Sequence, residues 1–237
     1  MINLELNITL KCNLACNNCN RMCNYYRDRT DHMSLDQIHK FVEQVRMIKV
    51  NKLKVLGGEP LMHPQFKEIY DILLSAAKEG DIQCIKIESN KTIKPPVLES
   101  SSLVSWKGRV QSKKRHQPIL WSPEDLGVIT GPQYHCPQIT KCGFSLDKFG
   151  YLPCSVAIMI VRLFNLTHLY KNEMPIKSWG LEELCSKCIF SMNHDWRIKH
   201  NKSVSDISDN QIVPTKSYAE AIKNFDEKLF YSKVKEF

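Results

Sequence analysis

Lys11-Cys12-Asn13-Leu14-Ala15-Cys16-Asn17-Asn18-Cys19 puts three thiols within eight residues, directly behind a run in which Ile2, Leu4, Leu6, Ile8 and Leu10 take every second place. The alternation has the period of a half-buried strand. The cysteine spacing, three residues and then two, follows neither strand nor helix, so packing does not account for it. Three thiolates on one short loop suit a soft metal or an iron–sulfur cluster. A structural zinc takes four protein ligands, as does a closed cubane cluster. Three ligands would leave one iron with an open position, where a small molecule can bind and react. Cys23, four residues beyond Cys19, is a candidate fourth ligand.

Outward from this loop, Ser34 with Gln37 forms a capping-box signature. Leu35, Ile38, Phe41, Val42, Val45 and Ile48 then recur at three and four, which predicts an amphipathic helix. Leu53 to Leu56 reads as a buried strand, followed at once by Gly57-Gly58-Glu59-Pro60. Pro64 opens a second helix, with Phe66, Ile69, Leu73 and Ala77 on one face and Gly80 as its stop. Ile82 to Glu88 is a third strand. This strand–helix alternation predicts right-handed crossovers and a parallel sheet, and ligands of such sheets gather at the carboxyl ends of the strands. The cysteine loop and Gly57-Gly58-Glu59 both stand at such ends. Residues 20–32 are polar and aromatic without a period, a loop long enough to line a site.

Past the third strand the pattern weakens. Lys91 to Ser102 is a Pro- and Ser-rich connection, and Val104 to Trp106, Ile119 to Trp121 and Gly127 to Thr130 are candidate fourth, fifth and sixth strands. Lys113, Lys114, Arg115 and His116 form a basic cluster that reads as a solvated loop, with phosphate or carboxylate recognition as the alternative. Cys142 to Cys154 looks like a hairpin with Gly150 near its turn, and antiparallel pairing would set the two cysteines side by side. Cys185-Ser186-Lys187-Cys188 is a second metal-type pair. The two pairs together make a complete four-thiolate site, suited to a cluster or to structural zinc. Tyr218 to Phe237 has helical spacing behind a polar stretch at 201–215.

Composition bounds the function classes. With 237 residues, 43% hydrophobic and 24% charged, the chain reads as globular, one domain or one with an appendage. No run of eighteen apolar residues and no signal-peptide order is present, which argues for a cytoplasmic protein without a membrane partner. In that compartment ten cysteines are metal ligands rather than a disulfide framework. Cys84, alone in an apolar strand, reads as a buried structural thiol. The net charge of +8 suits a nucleotide, nucleic-acid or acidic-peptide partner, or simply a lysine-rich surface.

The Cys-x3-Cys-x2-Cys loop, paired with Gly-Gly-Glu on the next strand, resembles the radical SAM superfamily. The resemblance implies an α/β fold: a shortened partial (β/α)6 TIM-like barrel over residues 1–133. It implies that Cys12, Cys16 and Cys19 each ligate one iron of a 4Fe-4S cluster, whose fourth iron takes S-adenosylmethionine. Reductive cleavage would then give a 5′-deoxyadenosyl radical that abstracts hydrogen from a polar substrate, in an oxidation, an isomerisation or carbon–carbon bond formation. Gly57 and Gly58 would let backbone approach the methionine moiety, Glu59 would help hold its amino group, and Pro60 would stiffen the exit. Ser89 and Asn90 are candidate ribose or carboxylate contacts. Asn18 stands where the family often carries an aromatic residue near the adenine.

Residues 134–200 resemble the twitch or SPASM-like auxiliary-cluster module, a β-hairpin plus helix. This implies a second, auxiliary 4Fe-4S cluster on Cys142, Cys154, Cys185 and Cys188, for electron transfer or structure. Cys136 competes with Cys142 for the first position, and hairpin geometry favours Cys142. Residues 201–237 form a polar segment and C-terminal helix. A small-molecule, nucleotide or peptide substrate and an electron donor such as flavodoxin or ferredoxin are the implied partners. Two further readings stay open: modification of a nucleotide or nucleic acid, and a non-catalytic zinc-containing nucleic-acid-binding module. Cys23, Tyr25 and Tyr26 stand near the site in sequence, but no hydrogen donor or catalytic residue is named.

Overall fold

The computed structural model describes residues 1–16, 19–24, 31–108, 120–128, 136, 138–174, 181–192 and 213–237. Six strands form one sheet: β1 (Ile2–Thr9), β2 (Val50–Gly57), β3 (Ile82–Ser89), β4 (Val104–Gly108), β5 (Phe144–Asp147) and β6 (Gly150–Leu152), in the order β4-β3-β2-β1-β5-β6. The first four are parallel neighbours, joined through α1 (Leu35–Ile48) and α2 (Phe66–Lys78). The expected capping box starts α1: Gln37 N donates to Ser34 Oγ at 3.2 Å, and Ser34 N donates to Gln37 Oε1 at 2.9 Å. The start of α2 lies at Phe66, two residues beyond Pro64, which precedes the helix rather than opening it.

Strand period sorts the two faces of the sheet. Leu4, Leu6, Ile8, Leu53, Val55, Ile85 and Ile87 pack against Ile38, Phe41, Val45, Ile69 and Leu73 in one buried core. The opposite face carries Glu5, Lys54, Lys86 and Ser105, in register across β1 to β4. Cys84 falls on that second face and is exposed, which corrects its reading as a buried thiol. Ile85 and Ile87, of opposite parity, point the other way.

Two expected strands are not strands. Leu120 and Trp121 are irregular, and Gly127, at φ +67°, closes the short 3-10 helix Glu124–Leu126. Ile119, Ile129, Thr130 and the Lys113–His116 cluster lie outside the described residues. The fifth and sixth places in the sheet are taken by the hairpin. β5 docks parallel on β1 (Leu4 with Phe144, Glu5 with Ser145, Leu6 with Leu146), and β6 pairs antiparallel with β5. Asn7 Nδ2 adds bonds to Ser145 Oγ (2.8 Å) and Leu146 O (3.2 Å). A boundary between 133 and 134 would therefore run through one continuous sheet. Among the described residues no pairing joins β4 to β6.

A second core gathers Leu120, Leu152, Cys154, Cys188 and Tyr218 with α3 (Ala157–Leu163) and Leu184 of α4 (Leu181–Ser186). The C-terminal stretch, expected as one helix, forms two: α5 (Lys216–Lys223) and α6 (Glu227–Lys233), the latter capped by Asp226 Oδ1, which accepts from Leu229 N at 2.9 Å. Among the described residues no helix is long and apolar enough to cross a membrane.

Candidate metal centre and cofactor shelf

The exits of β1 and β2 are zipped together. Gly58 N donates to Thr9 O and Glu59 N to Lys11 O, each at 2.8 Å. Gly57 sits at φ +143°, and a Cβ on it would lie 2.0 Å from Thr9 O. A Cβ on Gly58 would lie 2.3 Å from Lys11 O and 2.7 Å from Leu10 O. The space these glycines leave empty is thus filled by the cysteine loop's own backbone. Their absence of side chains lets the thiol loop lie against β2.

Glu59 is completely buried. Its Oε1 accepts from Leu61 N (3.1 Å), capping the 3-10 helix Pro60–Met62, and its Oε2 accepts from Asn90 N (2.7 Å). The carboxylate therefore pins the end of β2 to the end of β3, and Pro60 is the first residue of the 3-10 turn. Each oxygen keeps a further lone pair for a ligand amine. Ser89 is buried, with Oγ accepting from Lys91 N at 3.0 Å. Asn90 Nδ2 donates to Asn13 Oδ1 (2.8 Å) and lies 4.0 Å from Cys12 Sγ. Thr92 closes a triangle: its Oγ1 accepts from Asn13 Nδ2 (2.7 Å) and its N donates to Asn90 Oδ1 (2.9 Å). Asn13 and Thr92 were missed by the sequence reading. Their signal was the short polar side chains clustered at two strand ends.

Cys12, Cys16 and Cys19 are partly buried, with Cys12 within electrostatic reach of the other two. Burial pushes the Cys12 thiol up, with the neighbouring Cys19 and Cys16 adding to the effect and a hydrogen bond from Leu14 N (3.5 Å) opposing it. Cys19 goes the other way. A hydrogen bond from Cys23 draws it down to about 6 against the effect of burial, helped by the backbone N–H groups of Arg21 and Cys23 and by the Arg21 charge. The same bond drives buried Cys23 upward. Cys23 thus serves Cys19 as a thiol donor. Asn18, Tyr25 and Tyr26 lie outside the described residues.

None of the ten cysteines is in a disulfide. Among the described residues no three His, Cys, Asp or Glu side chains stand close enough to hold a single metal ion. The donor set is one of thiols alone, a chemistry that suits an iron–sulfur cluster.

The second thiol group differs from the expected one. Cys154 and Cys188 are buried, and each feels the other together with Cys136 and Cys185. Cys142 is not in that company. It ends the π-helix Gln138–Cys142 and lies within electrostatic reach of Lys54 instead. Gly143, at φ +80°, turns the chain so that Cys142 leaves the ladder before β5 begins, and a Cβ there would meet Asn3 O at 1.8 Å. Cys142 therefore does not pair across the hairpin with Cys154, and Cys136 is among the thiols that Cys154 and Cys188 feel. Burial pushes Cys154 up to about 12 and Cys188 upward, and metal binding must displace those protons.

Beyond Asn90, a cavity of about 530 Å³ opens at the carboxyl ends of β3 and β4. Ser89, Lys91, Thr92, Lys94, Trp106 and Lys107 line it, and Trp106 is 41% exposed.

Comparison with known proteins agrees with this geometry. Residues 6–100 match the family model of the Radical SAM superfamily. GTP 3′,8-cyclase 3 of Mycobacterium bovis (strain ATCC BAA-935 / AF2122/97) is 32% identical over 94 residues, 38% of this chain and 24% of the relative. The GTP 3′,8-cyclase of Clostridium acetobutylicum is 29% identical over 96 residues, 40% of this chain and 29% of its own length. A probable GTP 3′,8-cyclase of Methanococcus maripaludis (strain DSM 14266) is 35% identical over 86 residues, 36% of this chain and 27% of its own. The chain thus spans about a quarter of the length of the curated relatives it matches. A solved structure titled as the crystal structure of BtrN in complex with AdoMet and 2-DOIA covers 87% of each chain at 13% identity, with a TM-score of 0.43, too low to carry an argument. The sequence matches support the radical SAM superfamily for the segment that holds the cysteine loop and the Gly-Gly-Glu shelf.

Proposed function

We propose that this chain is a radical SAM enzyme, with a 4Fe-4S cluster on Cys12, Cys16 and Cys19 and S-adenosylmethionine on the adjoining shelf. The observation that carries the reading is the docking of Gly57-Gly58-Glu59 on the backbone of the cysteine loop, inside the segment that matches the superfamily. A cluster held there would supply one-electron reduction of the cofactor, and with it hydrogen-atom abstraction from the substrate. The protein's own part is placement. Thr9 and the two glycines fix the loop, while Glu59, Asn90 and Asn13 hold three strand exits around one spot. Ser89, Asn90 and the remaining lone pairs of Glu59 offer polar contacts to the cofactor.

A second 4Fe-4S cluster on Cys136, Cys154, Cys185 and Cys188 completes the proposal. Four thiolates would saturate it, so its role is electron transfer or structure rather than substrate binding. The substrate is a polar small molecule, and two observations favour a nucleotide. Relatives of the matched segment are named as GTP 3′,8-cyclases. The cavity beside the shelf is also lined by Lys91, Lys94 and Lys107, whose charge suits phosphate, and by Trp106, whose ring suits a base.

Anaerobic reconstitution with iron and sulfide tests the reading. The expected load is about eight irons per chain, half of them lost in Cys16→Ala. The electron paramagnetic resonance of the reduced N-terminal cluster should change when S-adenosylmethionine is added. Zinc alone, or a spectrum blind to the cofactor, would contradict the proposal.

A further inference from the structure

The crossover from β3 to β4 differs from the two before it. Those carry α1 and α2, but residues 91–103 hold no helix. Pro95-Pro96 is a pair that no helix interior accepts. The chain here leaves the cavity of about 530 Å³, with Lys91, Lys94 and Lys107 in its wall beside Ser89, Thr92 and Trp106, and no carboxylate. Lys107 stands on the strand next to Glu88, in register with it. Lys91 and Lys94 are in no ion pair with another described residue.

Lys91 is the fixed member of the group. Its backbone is left-handed, at φ +63°, a conformation in which a Cβ is crowded and glycine is not. The turn is tied on both sides: Lys91 N donates to Ser89 Oγ at 3.0 Å, Asn90 N to Glu59 Oε2 at 2.7 Å and Thr92 N to Asn90 Oδ1 at 2.9 Å. The side chain lies against the end of β4. A Cβ on Gly108 would stand 1.9 Å from Lys91 Cε and 2.7 Å from its Nζ, so the lysine stem fills the place that Gly108 leaves open. Gly108 is in register with Ser89, which sets the ammonium beside the joint of the two strands. Covering that backbone needs a stem but no charge, and the left-handed turn needs no lysine. Strain of this kind persists where it serves a site.

We infer that Lys91 is the anchoring cation of a phosphate subsite in this cavity, and that its ligand is a nucleoside phosphate. An ammonium held in one place is a point charge for phosphate oxygens, and Lys94 and Lys107 add to the local field. Trp106, 41% exposed and with its ring 6.1 Å from that of Phe66, offers a surface on which a base stacks. A nucleoside without phosphate leaves Lys91 unused, so the subsite selects the phosphorylated form. The inference deepens the nucleotide reading above and rests on it for the ligand's place as substrate. Binding itself requires neither reductant nor S-adenosylmethionine.

The test is calorimetric titration of the reconstituted full-length chain, without reductant or S-adenosylmethionine, using GTP, ATP, guanosine and adenosine. At least one triphosphate should bind about tenfold more tightly than its nucleoside. Lys91→Met should weaken that triphosphate about tenfold, the worth of one charge-assisted hydrogen bond, and leave the nucleoside unchanged. Lys228→Met, at an exposed position of α6, should change neither. Lys91→Gly should weaken the triphosphate as Lys91→Met does, yet unfold at no lower urea concentration than wild type, because it relieves the left-handed turn. Nucleosides bound as tightly as triphosphates, no binding of either triphosphate, equal losses in Lys91→Met and Lys228→Met, or a Lys91→Gly chain that loses binding and stability together would overturn the inference. Each of those results leaves the cluster proposal standing. A chain that binds the triphosphate through Lys91 and takes up no N-terminal cluster would overturn the radical reading and keep the subsite.

Discussion

At the scale of single residues, the two glycines behind β2 carry the most consequence per atom. Gly58 has no left-handed backbone to excuse it, yet a Cβ there would sit 2.3 Å from a carbonyl oxygen of the cysteine loop. Gly58→Ala should destabilise the fold by more than about 3 kcal/mol and reduce iron uptake, because the loop has to move. Gly80 gives the comparison: it has φ +82° but nothing within 4 Å of an added Cβ, so Gly80→Ala should cost only about 1–2 kcal/mol. Urea unfolding of the two variants side by side checks this, and equal losses would contradict the packing argument. Cys19 gives a second residue-scale prediction. With its value drawn down to about 6, the metal-free protein should hold a thiolate there at neutral pH. The stabilisation from that thiolate is complete above the ordinary cysteine value near 8.5 and is lost as pH falls through about 6. Absorbance at 240 nm, wild type minus Cys19→Ala, should show a midpoint near 6 rather than near 8.5. The sequence set the cysteine loop and Gly57-Gly58-Glu59 at neighbouring strand ends, and the backbone bonds between them are there. That the loop's backbone fills the space beside the glycines was not legible, because backbone leaves no trace in a spacing pattern.

At the scale of elements, local period served well wherever a segment's partner was its neighbour. The alternation in β1, the three-and-four pattern of α1 and its capping box all reappear in the structure. Pairing across long separations was not legible. The hairpin at 142–154 was visible from its own turn, but its docking on β1 depends on edges that meet only after the chain has folded. Two weak apolar runs at 119–121 and 127–130 stood as candidate strands beside it. The same blindness set Cys142 opposite Cys154, when Gly143 turns Cys142 out of the ladder. The two arrangements differ in a measurable way. If the second cluster is proposed correctly, Cys136→Ala should lower the iron content by about four per chain, as Cys185→Ala should, while Cys142→Ala leaves it unchanged. Loss on Cys142→Ala with retention on Cys136→Ala would restore the hairpin-based ligand set.

At the scale of the whole molecule, one buried cation holds the cluster-loop exit, the added hairpin and the C-terminal helix together. Arg162 is buried, with Nη1 3.3 Å from Asp31 Oδ2 and Nη2 3.2 Å from Asp147 Oδ2. Tyr170 Oη donates to Asp147 Oδ2 at 3.0 Å, and Tyr231 of α6 donates to Asp31. The guanidinium also faces the rings of Phe149 and Phe230. Arg162→Ala leaves two buried carboxylates without their cation and should cost about 3–5 kcal/mol, read as a lower unfolding midpoint. A loss below about 1 kcal/mol would show that the three elements do not depend on this contact. No local pattern announced it, since its partners come from positions as far apart as 31, 147 and 231.

The central claim is that an iron left one ligand short beside the Gly-Gly-Glu shelf cleaves S-adenosylmethionine. Anaerobic incubation of the reconstituted chain with S-adenosylmethionine and dithionite, followed by chromatography for 5′-deoxyadenosine, tests it most directly. The account predicts that product from the wild-type chain and none from Cys16→Ala. A wild-type chain carrying its full iron and yielding no 5′-deoxyadenosine, or a Cys16→Ala chain yielding as much as wild type, would contradict it.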